Sequence, residues 1–252
     1  IIISEKKNNS LFLLSKKFKL FFVNHKENIG GRYSVLSEVG MIPSYLMGLK
    51  IFNLRKNIKK YLFGSGKKYL KESSLIITNF LQRKKISNLI FLNYAPELES
   101  FLFWCQQLIA ESLGKKNKGF LPVVSNVPKD HHSLLQLYLD GPKDKVFYIF
   151  SIKSSQNSNF GSKIFLKNLN YLKNKSLAKI KTAQKNALIE SLKRKKISFR
   201  EIEINSINEE TLGELFSYFI LETVMIGNLS GINPFDQPSV EEVKVLTKKF
   251  LN

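Results

Sequence analysis

The run NLIFLNYA, residues 88–95, is apolar over most of its length and has the length of a single strand. A continuous apolar run of this kind is typical of a strand buried on both faces of a parallel sheet. Pro96 follows, and it suits the first position of a helix because its missing N–H would have no helical partner there. Glu97 and Glu99 suit the positive end of the helix dipole. The sequence therefore predicts a buried strand that leads directly into a helix.

The same alternation of strand and helix continues towards the end of the chain. Further strands are predicted at 120–125, 145–152 and 198–204. The helices that follow them are predicted at 130–139, 170–196 and 209–227. Strands that alternate with helices form a parallel sheet covered on both faces. The predicted fold class is therefore α/β, a doubly wound parallel sheet with flanking helices.

The segments outside this alternation are less regular. Residues 1–4, IIIS, have the character of the inside of a strand. In NIGGRYSVLSEVGMIP (28–43) a glycine pair precedes a patterned segment, which predicts a tight turn into a helix. The Lys-rich segment 49–85 has periodic apolar positions and predicts two surface helices. SSQNSNFGS (154–162) is predicted to be an exposed loop.

The composition limits the classes of function. The chain has 252 residues and a formal net charge of +20, which is the usual mark of a nucleic-acid or membrane partner. Its basic residues are nearly all Lys, however, and Arg occurs only at 32, 55, 83, 194 and 200. Recognition of base edges and phosphates favours the planar fork of Arg. The sequence therefore predicts no nucleic-acid partner.

Cysteine usage and hydropathy point to a cytoplasmic protein. The single cysteine, Cys105, lies among apolar residues of a predicted helix and is expected to be a buried thiol in a reducing compartment. No run of 18 or more apolar residues is present, so no membrane span is predicted. The first residues, IIISEKKNNS, lack the pattern of a signal peptide.

The helix after Pro96 carries the first candidate site residue. Its apolar residues recur at helical spacing, and Gln107 and Glu111 lie four apart on the flank of that stripe. Gly114 is predicted to end the helix in the left-handed conformation. Glu111 is thus near the carboxyl end, where the dipole disfavours negative charge and favours a carboxylate that takes up a proton. The alternative is a surface glutamate paired with Lys115.

The segment VPKDHHSLLQLYLDGP (127–142) contains two of the three histidines. Asp130 is predicted to be the N-cap of a helix, which places His131 and His132 in its first turn. The positive helix end disfavours an imidazolium, so a histidine here would be neutral and able to accept a proton. The two adjacent side chains point in different directions, so no metal site is predicted.

Two further segments hold candidate cations. In NIGGRYS (28–34) the glycines let a backbone approach a ligand closely, and Arg32 offers a fork for a phosphate or an oxyanion. In GINPFDQPSVEEVK (231–244), Ser239 and Glu242 have the spacing of a capping box for a last helix. Lys244 lies early in that helix, against the dipole preference. An exposed lysine is the alternative.

Taken together and in this order, four segments resemble signature segments of the glucose-6-phosphate isomerase family in its bacterial form. They are NIGGRYSVLSEVG, WCQQLIAESLGK, DHHSLLQLYLDGP and GINPFDQPSVEEVK, and the resemblance runs from about residue 20 to the end. It implies two sugar-isomerase-type α/β domains with the active site between them, in a homodimer. The implied reaction, in glycolysis and gluconeogenesis, interconverts D-glucose 6-phosphate and D-fructose 6-phosphate through a cis-enediol. No metal or organic cofactor is implied.

The resemblance also implies roles for individual residues. Glu111 would be the general base that carries the proton between C2 and C1, and Arg32 would stabilise the enediolate. His132 and Lys244 would serve ring opening, with His132 reaching in from the partner subunit. Gly31 and Gln107 would line the substrate. The position before the family's histidine is usually glutamine, and His131 occupies it here.

The start of the chain departs from the family pattern. The family's Ser/Thr-rich phosphate-gripping loop has no counterpart before Asn28. Residues 1–48 are therefore expected to be the remainder of an incomplete first domain. Residues 49–228 are expected to form the second domain, and 229–252 a C-terminal active-site helix segment. The alternative function is a non-catalytic sugar-phosphate-binding module, which would have no need of the proton-transfer residues.

Overall fold

A computed structural model of the chain describes residues 1–153 and 167–251. The loop predicted at 154–162 lies outside the described residues. The chain divides into two compact units, which we name the helical unit and the sheet unit. The helical unit comprises Ile1–Gln82, Gln107–Lys118 and Asn208–Asn252, and the sheet unit comprises Arg83–Gln106 and Gly119–Ile207. The domain boundaries after residues 48 and 228 stay a prediction.

From residue 88 to residue 229 the described strands and helices alternate, as a parallel α/β protein requires. In chain order, the strands are β1 (Ile2–Ser4), β2 (Phe22–Asn24), β3 (Asn88–Asn93), β4 (Leu121–Asn126), β5 (Lys145–Ile152) and β6 (Phe199–Ile204). The α-helices are α1 (Ser10–Lys17), α2 (Glu38–Leu46), α3 (Ile51–Lys56), α4 (Lys60–Phe63), α5 (Lys67–Arg83), α6 (Glu99–Leu113), α7 (His131–Asp140), α8 (Leu177–Arg194), α9 (Glu209–Leu229) and α10 (Pro238–Leu251). Short 3₁₀ helices span Gly31–Leu36, Pro96–Leu98 and Lys167–Leu172.

The sheet unit is built on four parallel strands in the order β4-β3-β5-β6. Residues 145–151 of β5 are all buried, because β5 has a strand on each side and side chains packed on both faces. The strands predicted from apolar runs are each found within two residues of their predicted ends. The predicted α/β fold with parallel strands and flanking helices is confirmed.

Helices cover both faces of this sheet. On one face Phe147 and Ile149 of β5 belong to a cluster with Leu188 and Leu192 of α8. On the other face Phe150 meets the ring of Phe101 in α6 edge-on. Cys105 is fully buried, so the predicted buried thiol is confirmed.

The helical unit is organised around α9. Its Gly213 lies against α3 so closely that an added Cβ would come 1.8 Å from the carbonyl oxygen of Leu54. Among the described residues, α9 is long and apolar enough to cross a membrane by length and composition alone. Half of its apolar window is buried within the protein, and Glu222 accepts a hydrogen bond from the hydroxyl of Tyr218 at 2.7 Å. These contacts are those of a core helix.

The segment 49–85 contains three helices, α3, α4 and α5, so the prediction of two is wrong. The apolar periodicity continues through Ile58, but the helix stops before it, at Lys56. The carbonyl oxygen of Ile58 accepts a hydrogen bond of 2.8 Å from the Ser217 hydroxyl of α9. The chain therefore leaves the helix and contacts α9 at a position where the local apolar pattern predicted that the helix would continue.

Three predicted helix ends also differ. Gly114 follows the end of α6, but the left-handed residues are Lys116 and Asn117, with φ of 53° and 56°. Asp130 lies at the N-cap position of α7, as predicted, but its side chain makes no capping hydrogen bond, because its carboxylate accepts from the Asn126 backbone N–H at 2.8 Å. The last helix begins at Pro238, so Ser239 lies inside its first turn and the predicted capping box is wrong.

Candidate active site

Arg32 lies in the 3₁₀ helix Gly31–Leu36, which follows the extended residue Gly30. The tight turn carries the Arg32 side chain inward, and the residue is only 5% exposed. Gly31 is exposed, and an added Cβ there would meet nothing within 4 Å. The fold therefore does not require glycine at 31, and its backbone faces open space.

All five N–H groups of the Arg32 guanidinium have acceptors. Nε donates to the Ser112 hydroxyl at 2.9 Å. Nη2 donates to the carbonyl oxygens of Pro234 at 2.7 Å and Asp236 at 3.0 Å. Nη1 donates to Glu111 Oε2 and Gln237 Oε1, each at 3.3 Å. A buried guanidinium with complete hydrogen bonding is fixed in place, and the two Nη1 bonds are the longest of the set.

Glu111 lies in the last turn of α6, with 31% of its side chain exposed. One carboxylate oxygen faces Arg32, and the other accepts a hydrogen bond of 3.0 Å from Gln107 Nε2. The four-residue spacing places Gln107 one helical turn before the acid, as expected for residues on one helix face. The carboxylate is thus oriented from two sides but still reaches solvent.

Tyr33 and Ser112 support the pair and were missed from the sequence. The Tyr33 hydroxyl lies 2.7 Å from the Ser112 hydroxyl and donates to the Pro234 carbonyl at 2.9 Å. Burial raises the pKa of Tyr33, so its hydroxyl keeps its proton and remains a donor. Each residue directly follows a predicted site residue in the chain, and that adjacency was the available signal.

The turn after α6, residues 115–118, binds the segment 230–236 through three lysines. The Lys115 ammonium bonds to the Asp236 carboxylate at 2.7 Å and to the carbonyl oxygens of Asn233 and Asp236. Lys118 and Lys116 donate to the carbonyl oxygens of Ser230 and Gly231. Lys115 therefore fixes a neighbouring segment, in contrast to the predicted alternative in which it pairs with Glu111.

Lys244 lies on α10, whose residues are exposed. Its ammonium pairs with Glu241 at 2.6 Å, one turn earlier in the same helix. The helix begins directly after Gln237, which accepts from Arg32. The structure thus brings Arg32, Glu111 and Gln107 together next to Gln237, the residue before α10. Lys244, in contrast, forms its ion pair within α10.

His131 and His132 lie in the first turn of α7 in the sheet unit. His131 Nε2 is 3.0 Å from the Tyr94 hydroxyl, and the two rings meet edge-on. Burial lowers the pKa of His131, so the ring is neutral, as predicted, although burial rather than the helix dipole is the main cause. His132 is exposed. His131 thus has a role in packing that His132 does not share.

Metal chemistry has no candidate centre in the part of the chain that the structure describes. No group of three or more His, Cys, Asp or Glu side chains lies close enough there to hold an ion. The candidate site instead contains a carboxylate that reaches solvent, Glu111, next to a fixed cation, Arg32. Such a pair is suited to moving a proton while the cation stabilises an adjacent oxyanion.

A family model for phosphoglucose isomerase matches residues 16–252. The chain belongs to the phosphoglucose isomerase family. It is 32% identical to a probable glucose-6-phosphate isomerase of Methanococcus maripaludis, over 99% of this chain and 57% of the relative. It is 34% identical to the glucose-6-phosphate isomerase of Campylobacter jejuni, over 93% of this chain and 58% of the relative. The chain spans a little over half the length of these relatives.

Solved structures share the fold of this chain. A hypothetical protein from Thermus thermophilus superposes with a TM-score of 0.88 at 26% identity, covering 99% of this chain and 62% of that protein. A glucose-6-phosphate isomerase from Chlamydia trachomatis superposes with a TM-score of 0.72 at 18% identity, covering 91% of this chain and 48% of that protein. The second likeness supports the fold alone. The predicted family is confirmed.

Proposed function

We propose that this member of the phosphoglucose isomerase family interconverts D-glucose 6-phosphate and D-fructose 6-phosphate, a step of glycolysis and gluconeogenesis in the cytoplasm. The observation that carries the proposal is the contact between Arg32 and Glu111, residues 79 positions apart. An aldose–ketose shift needs a base for a weakly acidic C–H proton and a fixed cation for the resulting oxyanion. A module that only binds sugar phosphate needs the cation but not the base.

In the proposed mechanism Glu111 removes the proton from C2 of the open-chain aldose. The C1 carbonyl oxygen then takes up the electron pair and the intermediate is a cis-enediolate. Arg32 stabilises this negative charge through Nη1, because its Nη1 hydrogen bonds are the longest and are the ones a substrate oxygen can replace at least cost. The hydroxyl proton on O2 passes to O1, and return of the proton from Glu111 to C1 then leaves a carbonyl at C2 and completes the ketose.

The remaining site residues are assigned by position. Gln107 holds the second oxygen of Glu111 and would keep the carboxylate aligned with the substrate carbon. Gly31 presents an exposed backbone beside Arg32 and would let the sugar approach. Lys244 and His132 are proposed to open the cyclic sugar, and the exposure of both side chains leaves them accessible.

The proposal is tested by proton exchange. The chain is incubated in D₂O with glucose 6-phosphate and followed by NMR. Deuterium at C2 of the aldose and formation of fructose 6-phosphate are expected, because an enediolate exchanges its proton with solvent through Glu111. The proposal would be contradicted if the sugar phosphate binds but deuterium is not incorporated faster than in the uncatalysed reaction. The alternative, a non-catalytic sugar-phosphate-binding module, would then be favoured.

A second prediction concerns the subunit origin of His132. We propose a homodimer in which His132 of each subunit serves the partner's site. Mixing the inactive variants Glu111→Gln and His132→Asn under conditions that exchange subunits is then expected to restore about a quarter of the wild-type activity, because half the dimers are hybrids and each hybrid has one complete site. Absence of recovery, with hybrid dimers shown to be present, would place His132 in its own subunit's site.

A further inference from the structure

His25 lies in the loop between β2 and the 3₁₀ helix that carries Arg32. Its Nδ1 is 2.6 Å from Glu38 Oε1, at the first position of α2. Its Nε2 is 2.8 Å from the carbonyl oxygen of Ile29, the residue before Gly30. The side chain is only 12% exposed. The ring therefore spans the loop that precedes the Gly30–Gly31–Arg32 segment.

Both nitrogens of the His25 ring face acceptors. A carboxylate and a backbone carbonyl accept hydrogen bonds but do not donate them. A neutral imidazole has only one N–H, so it can satisfy one of the two contacts and must turn a lone pair towards the other oxygen. The imidazolium has two N–H groups and satisfies both. The geometry around His25 is thus complementary to its protonated form.

We propose that His25 is a positioning residue whose protonated ring ties the Ile29 carbonyl to the start of α2 and thereby holds Gly30, Gly31 and Arg32 in place. Loss of the proton breaks one of the two bonds. The bond to a carboxylate is the stronger of the two in the charged pair, so the neutral ring keeps its N–H on Nδ1 and leaves the Ile29 carbonyl without a donor. The loop before Gly30 is then released. Only the effect on KM rests on the proposed isomerase function.

The charges around His25 set the direction of its titration. Burial lowers the pKa of His25, but hydrogen bonds to Glu38 and Ile29 and the negative charges of Glu38 and Glu5 raise it, and the net pKa lies above the ordinary value of 6.5. Because the folded-state pKa is raised, the stabilisation by the imidazolium is fully present below pH 6.5. It is lost as the pH rises through the folded-state value. The loop is therefore expected to loosen on the alkaline side.

The chain contains three histidines, so their ring signals are assignable by single substitutions. We would follow the His25 ring and the backbone amides of Gly30 and Gly31 by NMR across the pH range. The His25 midpoint is expected above 6.5, and the two glycine amides are expected to shift with the same midpoint. In Glu38→Gln the His25 midpoint should fall, because the carboxylate partner is gone.

Glu27→Gln is the matched control. Glu27 lies in the same loop and pairs with Lys7, and both side chains are more than half exposed. The Glu27→Gln substitution removes the same charge without contacting the His25 ring, so it should leave the His25 midpoint unchanged. In His25→Gln the glycine amides should lose their pH dependence.

Two results would overturn the inference. In the first, the amide shifts of Gly30 and Gly31 do not change with the His25 midpoint. In the second, the Glu38→Gln substitution does not change the His25 midpoint. For active protein, KM is expected to rise above the His25 midpoint in wild type, and this pH dependence should disappear in His25→Gln. If the protein shows no isomerase activity, the NMR titrations still decide the role of His25, so the two proposals fail separately.

Discussion

Replacing Glu111 with glutamine is expected to lower the rate of isomerisation by a factor of about 10²–10⁴, the usual contribution of a positioned acid–base group. Glutamine has nearly the same shape, so its carbonyl oxygen can accept from Arg32 while its NH₂ group donates to Gln107, whose amide turns over. What it cannot do is accept the C2 proton. Sugar-phosphate binding should therefore be retained while turnover and deuterium exchange are lost, which separate binding and exchange measurements would show.

The matched control for this variant is Glu72→Gln. Glu72 lies on α5 in the same unit, is 58% exposed and pairs weakly with Lys68 at 3.9 Å. It removes one negative charge from a helix surface, as the Glu111 variant does, and should leave turnover unchanged. Turnover at the wild-type rate in Glu111→Gln would remove Glu111 from the role of base. Equal loss in both variants would point to a charge effect on the fold.

The sheet was predictable because burial on both faces selects one kind of sequence. The run at 145–152 was expected to be a strand, and β5 occupies the same residues. Its apolar side chains alternate between two helix-covered faces, so the positions from Val146 to Phe150 are all selected for hydrophobicity. Local sequence carries this information in full, and no knowledge of distant residues is needed.

The helix ends were harder to predict because distant groups compete for them. Asp130 has the residue type of an N-cap, but the backbone N–H of Asn126 takes its carboxylate. Gly114 was expected to be left-handed, but it is small for another reason: an added Cβ would come 2.7 Å from the Ala110 carbonyl oxygen. In both cases the residue type was informative and the assigned cause was wrong.

The residues of the candidate site were predicted from sequence motifs, but the contacts that support them were not. Arg32 and Glu111 were singled out by their segments, and the structure places them in contact. The acceptors at Pro234 and Asp236 are backbone carbonyls, which carry no residue-type signal. They lie more than 200 positions from Arg32 in the chain, so only the tertiary fold brings them within reach.

Full use of the Arg32 donors has a consequence for catalysis. A cation that is already fixed by Ser112, Pro234 and Asp236 does not need to reorganise when negative charge develops next to it. Preorganised donors of this kind stabilise a transition state more than mobile ones do. The Nη1 contacts with Glu111 and Gln237, at 3.3 Å each, are the hydrogen bonds that we expect to change when a substrate oxygen binds.

Replacing Arg32 with lysine is expected to cost both activity and stability, although the charge is kept. Lysine has three N–H donors for five acceptors, so at least two acceptors lose their partner. The contacts with the Ser112 hydroxyl and the Pro234 carbonyl oxygen are the buried ones of the five. The free energy of unfolding should fall by about 1–3 kcal/mol for each of these two buried bonds that lysine cannot keep. Turnover should fall by about 10²–10³ through the loss of oxyanion stabilisation.

The stability loss should appear first in the segment that Arg32 holds. Hydrogen exchange of the amides of Phe235, Asp236 and Gln237 is expected to accelerate in Arg32→Lys. The control is Arg55→Lys on α3, which exchanges the same residue types at an exposed position and should leave both protection and turnover unchanged. Wild-type protection in Arg32→Lys would mean that the turn at 115–118 holds the segment without Arg32.

The double variant Arg32→Lys with Glu111→Gln tests whether the two residues act together in one step or contribute independently to turnover. Residues in contact that act in one step are not additive, so the double variant should lose little more turnover than the more damaging single variant. If the two losses instead multiply, Arg32 and Glu111 act on different steps. Their 3.3 Å contact would then be a structural ion pair rather than the two halves of one proton-transfer site.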